Sequence, residues 1–241
     1  MAAVEFFTTN FSGATMKRTA WPFMLILVVL MSFSGAIADE PTTTAAEPQP
    51  DAQGFYELFN GVDLTGWKVG DKAEGWTVEN GDLITHTGPS HLFYDGPVHN
   101  HDWKNFDLIA ICLTHPHANS GIYFHTTYQE KGWPAQGFEA QINETHGDRK
   151  KTGGLYNIKD VMNQAPVLDN QWFTYEIIVQ GKHVVLKIDG QVTCDWTEPD
   201  PAQPPKGMPG RFLQHGTIAL QGHDPKSETH FKSVKIKELP D

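Results

Sequence analysis

Basic residues are scarce in this chain: Lys and Arg total 18 against 29 Asp and Glu, a formal net charge of −11. An acidic surface repels phosphate backbones, and no Lys/Arg stripe interrupts it, so the sequence argues against nucleic acid as a partner. Cysteine is nearly absent, with Cys112 and Cys194 alone. Each sits in strand-like sequence, where a lone thiol is an ordinary small hydrophobe; a disulfide between them is permissible in an exported protein, and both states stay open. Amphipathic helical periodicity is missing outside the N-terminal segment, with a helical turn over 158–163 as the most that the pattern allows. A nucleophile elbow, a phosphate loop and a dinucleotide fingerprint are all missing too, which sets aside serine hydrolases, phosphate-loop NTPases and nicotinamide enzymes.

What is present begins with an export signature. Lys17 and Arg18 precede an apolar run over 23–31, followed by small residues and by Ala36-Ile37-Ala38 ahead of Asp39. Charge, short apolar stretch and small-x-small site in that order read as a secretory signal peptide over 1–38, with Met16 as a candidate true start. The run is short for a bilayer of about 30 Å, so no stable membrane span is expected after cleavage, although a retained N-terminal anchor is the competing reading. The expected location is periplasmic or extracellular. Residues 39–53 are rich in Pro, Thr, Ala, Glu and Gln, the composition of a flexible linker. From 54 to 240 no further break or repeat appears, which makes that stretch one domain. Its oligomeric state is not encoded in any pattern we can read.

The texture of the domain is β. Two apolar runs flank Glu79-Asn80-Gly81-Asp82, a strong hairpin signal. Segments 173–180 and 183–189 alternate and meet through Gly181-Lys182, and Asp189-Gly190 turns the chain into 191–195. Further strands are expected over 106–114, 121–126, 137–143, 217–221 and 230–239. Some ten short strands in one domain predict an all-β, two-sheet jelly-roll sandwich. The proline-rich stretch 198–211 reads as a long loop.

Successive strand residues point to opposite faces. Phe138, Ala140 and Ile142 therefore face inward, and Glu139, Gln141 and Asn143 outward. By the same rule Tyr123 and His125 share the outward face of their strand, and Gln221 and His223 share that of another. One carboxylate among amides, imidazoles and a phenol is a surface suited to hydroxyl-rich ligands, since amides pair with hydroxyls and aromatic faces stack on sugar rings. A carbohydrate is the expected partner. A plain solvated face is the bland alternative.

Ordinary glycosidases need two carboxylates on one face. Here amides stand where a Glu-x-Asp-x-Glu strand would carry its second and third acids, and Glu144 points away from Glu139 by parity. Metal spacing is also unconvincing: His99-x-His101, His115-x-His117 and the pair His146 and Asp148 share sides of extended segments, yet none matches His-Glu-x-x-His. His86, His91, His183, His215 and His230 read as structural or surface residues.

The phrases Glu57-Leu58-Phe59-Asn60-Gly61-Val62-Asp63-Leu64-Thr65-Gly66-Trp67, Ser120-Gly121-Ile122-Tyr123-Phe124, Gly137-Phe138-Glu139-Ala140-Gln141-Ile142, Gly153-Gly154-Leu155-Tyr156 and Ala219-Leu220-Gln221-Gly222-His223, with the closing stretch 231–239, resemble the 3-keto-disaccharide hydrolase family. That family is also described as 3-keto-α-glucoside 1,2-lyase/3-keto-2-hydroxyglucal hydratase. The resemblance runs in order over 54–240 and implies a concanavalin A-like jelly roll in an exported bacterial protein. It also implies chemistry on sugars already oxidised at carbon 3, where one base suffices to remove the acidified carbon-2 proton. On that reading Glu139 is the base, and His223 the acid or water activator with His125 as rival. Gln141, Gln221, Tyr123 and Asn143 hold the sugar's oxygens, and Tyr156 or Trp172 supports its ring. Much of the family carries Arg where this chain has His125. A divalent metal on the keto and enolate oxygens is the open cofactor question, with no ligand set assigned. A non-catalytic, lectin-like carbohydrate-binding module is the alternative function, because one Glu among amides suits either.

Overall fold

The computed structural model describes residues 48–241; the expected signal peptide (1–38) and most of the expected linker lie outside the described residues. The last residues of that linker segment are ordered by Asp51, whose Oδ1 accepts from the backbone N–H groups of Gln53 and Phe55.

Fifteen strands follow. They are β1 (Tyr56–Glu57), β2 (Trp67–Val69), β3 (Trp76–Glu79), β4 (Asp82–Thr85), β5 (Ser90–Tyr94), β6 (Phe106–Thr114), β7 (Ser120–Thr126) and β8 (Phe138–Ile142). The second half supplies β9 (Lys150–Leu155), β10 (Lys159–Met162), β11 (Phe173–Gln180), β12 (His183–Ile188), β13 (Gln191–Thr197), β14 (Thr217–Gly222) and β15 (Thr229–Glu238). They build two antiparallel sheets in a concanavalin A-like sandwich. One sheet runs β13-β12-β11-β6-β15-β4-β3, with β1 added against β15; the other runs β10-β9-β8-β7-β14-β5-β2.

Local chemistry explains the hairpins. Asn80 and Gly81 both take positive φ, 54° and 86°, as a two-residue turn joining right-twisted strands requires, and glycine and asparagine bear that at little cost. Residues 158–163 are not a helical turn: Lys159–Met162 forms the edge strand β10 on β9. Four residues without a stabilising helical neighbourhood pair more readily with a sheet edge than they nucleate a helix.

The two sheets differ in burial, and the difference locates the site. In the eight-stranded sheet β6 and β11 alternate buried and half-buried residues, one face on the core and one toward water. In the other sheet β5, β7, β8 and β14 are buried at every position. Their inward residues, among them Ile122, Phe124, Phe138, Ala140, Ile142, Ile218 and Leu220, join the inter-sheet core. Their opposite face carries a separate small cluster of Phe93, Tyr123 and Ala219, so something covers it.

The cover consists of two loops. In the first, Gln129 holds its own turn, donating from Nε2 to the Trp133 carbonyl at 2.9 Å and accepting from the Ala135 N–H at 3.2 Å. The second is the proline-rich loop, tied to the first by a bridge between Gln136 and Gly210 and by Arg211, which donates to the Gly137 carbonyl at 2.8 Å.

Cys112 and Cys194 are free and buried. They lie on β6 and β13, with β11 and β12 between them. Three strand spacings come to roughly 14 Å, far beyond the reach of a disulfide.

Candidate active site

Beneath the two loops is a cavity of about 460 Å³ floored by β7, β8 and β14. β7 lies between the other two. Its Tyr123 is level with Glu139 on β8 and Ala219 on β14, and its Gly121 is level with Gln141. Glycine at 121 leaves the middle of the floor open. The Glu139 side chain lies over it, so a Cβ there would stand 2.8 Å from Oε1.

Glu139 is 5% exposed. Its Oε2 accepts from the Tyr123 hydroxyl at 2.7 Å and its Oε1 from Gln221 Nε2 at 2.8 Å. Gln141 satisfies its surroundings in the orientation that has Nε2 donating to Oε1 of Glu139 at 3.2 Å and to the Ser120 carbonyl at 3.0 Å. Burial pushes the Glu139 carboxyl above the usual carboxylate range; the Tyr123 bond, the Arg211 charge and the Gln221 bond oppose that shift. Tyr123 is pushed the same way by its own burial and by the Glu139 charge, which keeps it a neutral donor.

His223 lines the cavity. Its Nδ1 faces Asp224 Oδ2 at 2.9 Å, leaving Nε2 as its second proton-bearing position. Partial burial works against ionisation of Asp224, yet hydrogen bonds from Ser227, His223 and the Lys226 N–H hold it down to about 2. Its carboxylate therefore stays charged and fixes the imidazole. Trp133 packs against His223 at a ring separation of 5.3 Å and forms one wall with Pro134. Met208, Pro209 and Tyr156 form others.

Of the residues expected from parity and from the resemblance, Glu139, Gln141, Tyr123, Gln221, His223 and Tyr156 meet at this cavity. Three do not. His125 has φ 55°, at a point where the β7–β14 register slips. The extra residue reverses the alternation, so its ring packs on Phe106 and Phe124. There Nε2 faces the Lys104 carbonyl at 2.9 Å and Nδ1 accepts from the Gln214 N–H. Burial lowers its pKa to about 4, so it is a neutral structural group and not a rival acid. Asn143 is spent on its own loop, donating to the carbonyls of Asp148 and Lys150 and accepting from Lys151. Trp172 lies against His230 and Lys232 on the other sheet. Glu144 accepts from Thr114 and Thr152, apart from the cavity as its parity requires.

Sequence reasoning missed Arg211 and Trp133, and weighed Asp148 only in a metal-spacing pair with His146. Arg211 is buried, with its guanidinium 5.2 Å from the Tyr123 ring centre. A lone arginine in a proline-rich loop gave no period to read. Asp148 reaches the cavity wall from the β8–β9 loop, its Oδ1 accepting from the Lys150 N–H.

His146, His223 and Asp224 bring one donor atom each within 4.8 Å of one another. They are a poor metal cradle. Nδ1 of His146 already accepts from the Asp148 N–H at 3.1 Å, which puts the ring proton on Nε2 and leaves no free lone pair. A metal-binding histidine ordinarily donates from its other nitrogen.

Three comparisons bear on the chain. The profile of the family described as "3-keto-alpha-glucoside-1,2-lyase-like domain" matches residues 54–237. Among solved structures, two putative glycosyl hydrolases from Parabacteroides distasonis superpose with TM-scores of 0.66 and 0.62 at 22% and 20% identity; they cover 78% and 77% of this chain and 95% and 99% of their own. A carbohydrate-binding module from Bacillus subtilis, CBM66, superposes at 0.51 with 11% identity, over 72% of this chain and 96% of its own. No curated protein matches the sequence.

Proposed function

This chain belongs to the 3-keto-alpha-glucoside-1,2-lyase-like domain family, and on that premise we propose that it cleaves 3-keto-glycosides by eliminating the aglycone and hydrating the resulting 3-keto-2-hydroxyglucal. The observation that carries the reading is Glu139: a buried carboxylate with a raised pKa, held by three donors in the floor of a sugar-sized cavity. Perturbed carboxylates of this kind suit proton abstraction near neutral pH.

In the proposed step Glu139 takes the proton from carbon 2. The carbon–hydrogen pair becomes the carbon 1–carbon 2 double bond, and the carbon 1–oxygen bond breaks toward the aglycone. His223, oriented by Asp224, gives the departing oxygen its proton. Charge that accumulates on the carbon-3 oxygen during the step is met by the Arg211 guanidinium, while the Gln221 and Gln141 amides stay on Glu139 and hold it in place. Water then adds at carbon 1 while carbon 2 regains a proton, so the sum is hydrolysis. Trp133, Pro134, Met208 and Pro209 give the aglycone side of the cavity an apolar wall. The reaction takes place outside the cytoplasm in this proposal, as the signal peptide expected from the sequence implies.

Asp148 supports a second reading, hydrolysis by a conventional carboxylate pair with Glu139. Incubation with a 3-keto glucoside separates the readings. Elimination predicts aglycone release that falls at least about 1,000-fold in Glu139→Gln and survives Asp148→Asn; a carboxylate pair predicts loss in both. Saturable binding of unoxidised glycans with no release from any substrate would make the protein a lectin-like module instead.

A further inference from the structure

We propose that His115, Glu228 and His230 form a binding site for a divalent transition metal of the zinc class on the outer face of the eight-stranded sheet. The sheet register creates the grouping. Thr114 on β6 is level with Thr229 on β15, and one step further the His115 N–H donates to the Glu228 carbonyl at 3.0 Å. His115 and Glu228 are thus opposite one another, and His230, two residues along from Glu228, shares its face.

The donor atoms converge. Nε2 of His230 and Nε2 of His115 stand 2.9 and 3.4 Å from the same Glu228 Oε1, and the three residues offer ligand atoms all within 4.8 Å of one another. Ligands about 2.0–2.1 Å from a tetrahedral zinc are roughly 3.3 Å apart, close to the two imidazole–carboxylate distances here. Two imidazoles and one carboxylate are a donor set for zinc, cobalt or nickel and a poor one for calcium, which takes oxygen.

A second, independent feature points the same way. On the far side of the His230 ring, Nδ1 stands 3.6 Å from Asp82 Oδ2, while Asp82 Oδ1 is buried without a partner. A carboxylate behind the imidazole fixes the tautomer of a ligating histidine; at 3.6 Å Asp82 is an ion-pair neighbour of His230 that would close to hydrogen-bond distance on metal binding. The His146 ring, whose Nδ1 accepts instead, lacks that arrangement.

The site would also steady the turn above it. Ser227, adjacent to Glu228, donates to Asp224, the partner of His223.

The test uses the full chain, stripped by dialysis against a chelator. Cobalt(II) titration followed by visible absorption, and zinc titration followed by calorimetry and thermal melting, should each show one equivalent bound, with zinc displacing cobalt and raising the melting temperature. His115→Ala and Glu228→Gln should each weaken zinc binding at least about 100-fold, and Asp82→Asn about 10- to 100-fold; His146→Ala should leave it unchanged. Absence of stoichiometric binding would overturn the proposal. So would binding that survives both His115→Ala and Glu228→Gln, or that His146→Ala abolishes.

Discussion

Glu139 shows how one residue can be both costly and useful. Its pKa is raised above the ordinary 4.5 mainly by burial, so the protonated form is favoured by the fold. A carboxyl whose folded pKa exceeds its unfolded value contributes fully below the unfolded value, and that contribution disappears as pH rises through the folded value. The wild type should therefore lose stability relative to Glu139→Gln as pH is raised from about 4.5. Urea denaturation of the two proteins at a series of pH values checks this. Parallel stability profiles would mean that burial does not tune the group.

At the scale of the element, β7 decides which side chains reach the cavity. Parity over an unbroken strand foresaw Tyr123 beside Glu139 and Gln141, because those positions lie where the ladder is regular. It failed at His125, where a bulge intervenes and the backbone takes a left-handed conformation. A bulge leaves little trace in a sequence without a glycine at the point of reversal. His125→Ala should thus act on stability: it removes a buried ring and strips partners from the half-buried Gln214 N–H and Lys104 carbonyl, a cost of about 1–3 kcal/mol. Chemical denaturation should show that loss, with the substrate KM unchanged at temperatures where the variant is folded. The strands β1, β2, β5, β9 and β10 were also not foreseen. β5 is buried on both faces and so lacks the alternation that marks a half-exposed strand, and β9 carries lysines and glycines in place of β-branched residues.

Over the whole molecule, the architecture was legible because alternation, turn chemistry and the order of segments agree with one another. What was not legible is what distant loops bring over the sheet. Arg211, Trp133 and Asp148 arrive from segments whose placement depends on contacts such as that between Arg211 and Gly137, and no local period encodes those. The two cysteines illustrate the same point: topology separates them by two intervening strands. Denatured protein prepared without reductant should titrate for two free thiols, and reductant should leave the melting temperature of the native protein unmoved; a disulfide-dependent melt would contradict the strand order. The central claim is that carbon 2 loses its proton to Glu139 before the glycosidic bond is hydrolysed. Its most direct test is turnover of a 3-keto glucoside in deuterium oxide, with Glu139→Gln as the control for spontaneous exchange. Elimination and rehydration predict a product carrying deuterium at carbon 2 in step with aglycone release; a product that keeps its original hydrogen there would contradict the account.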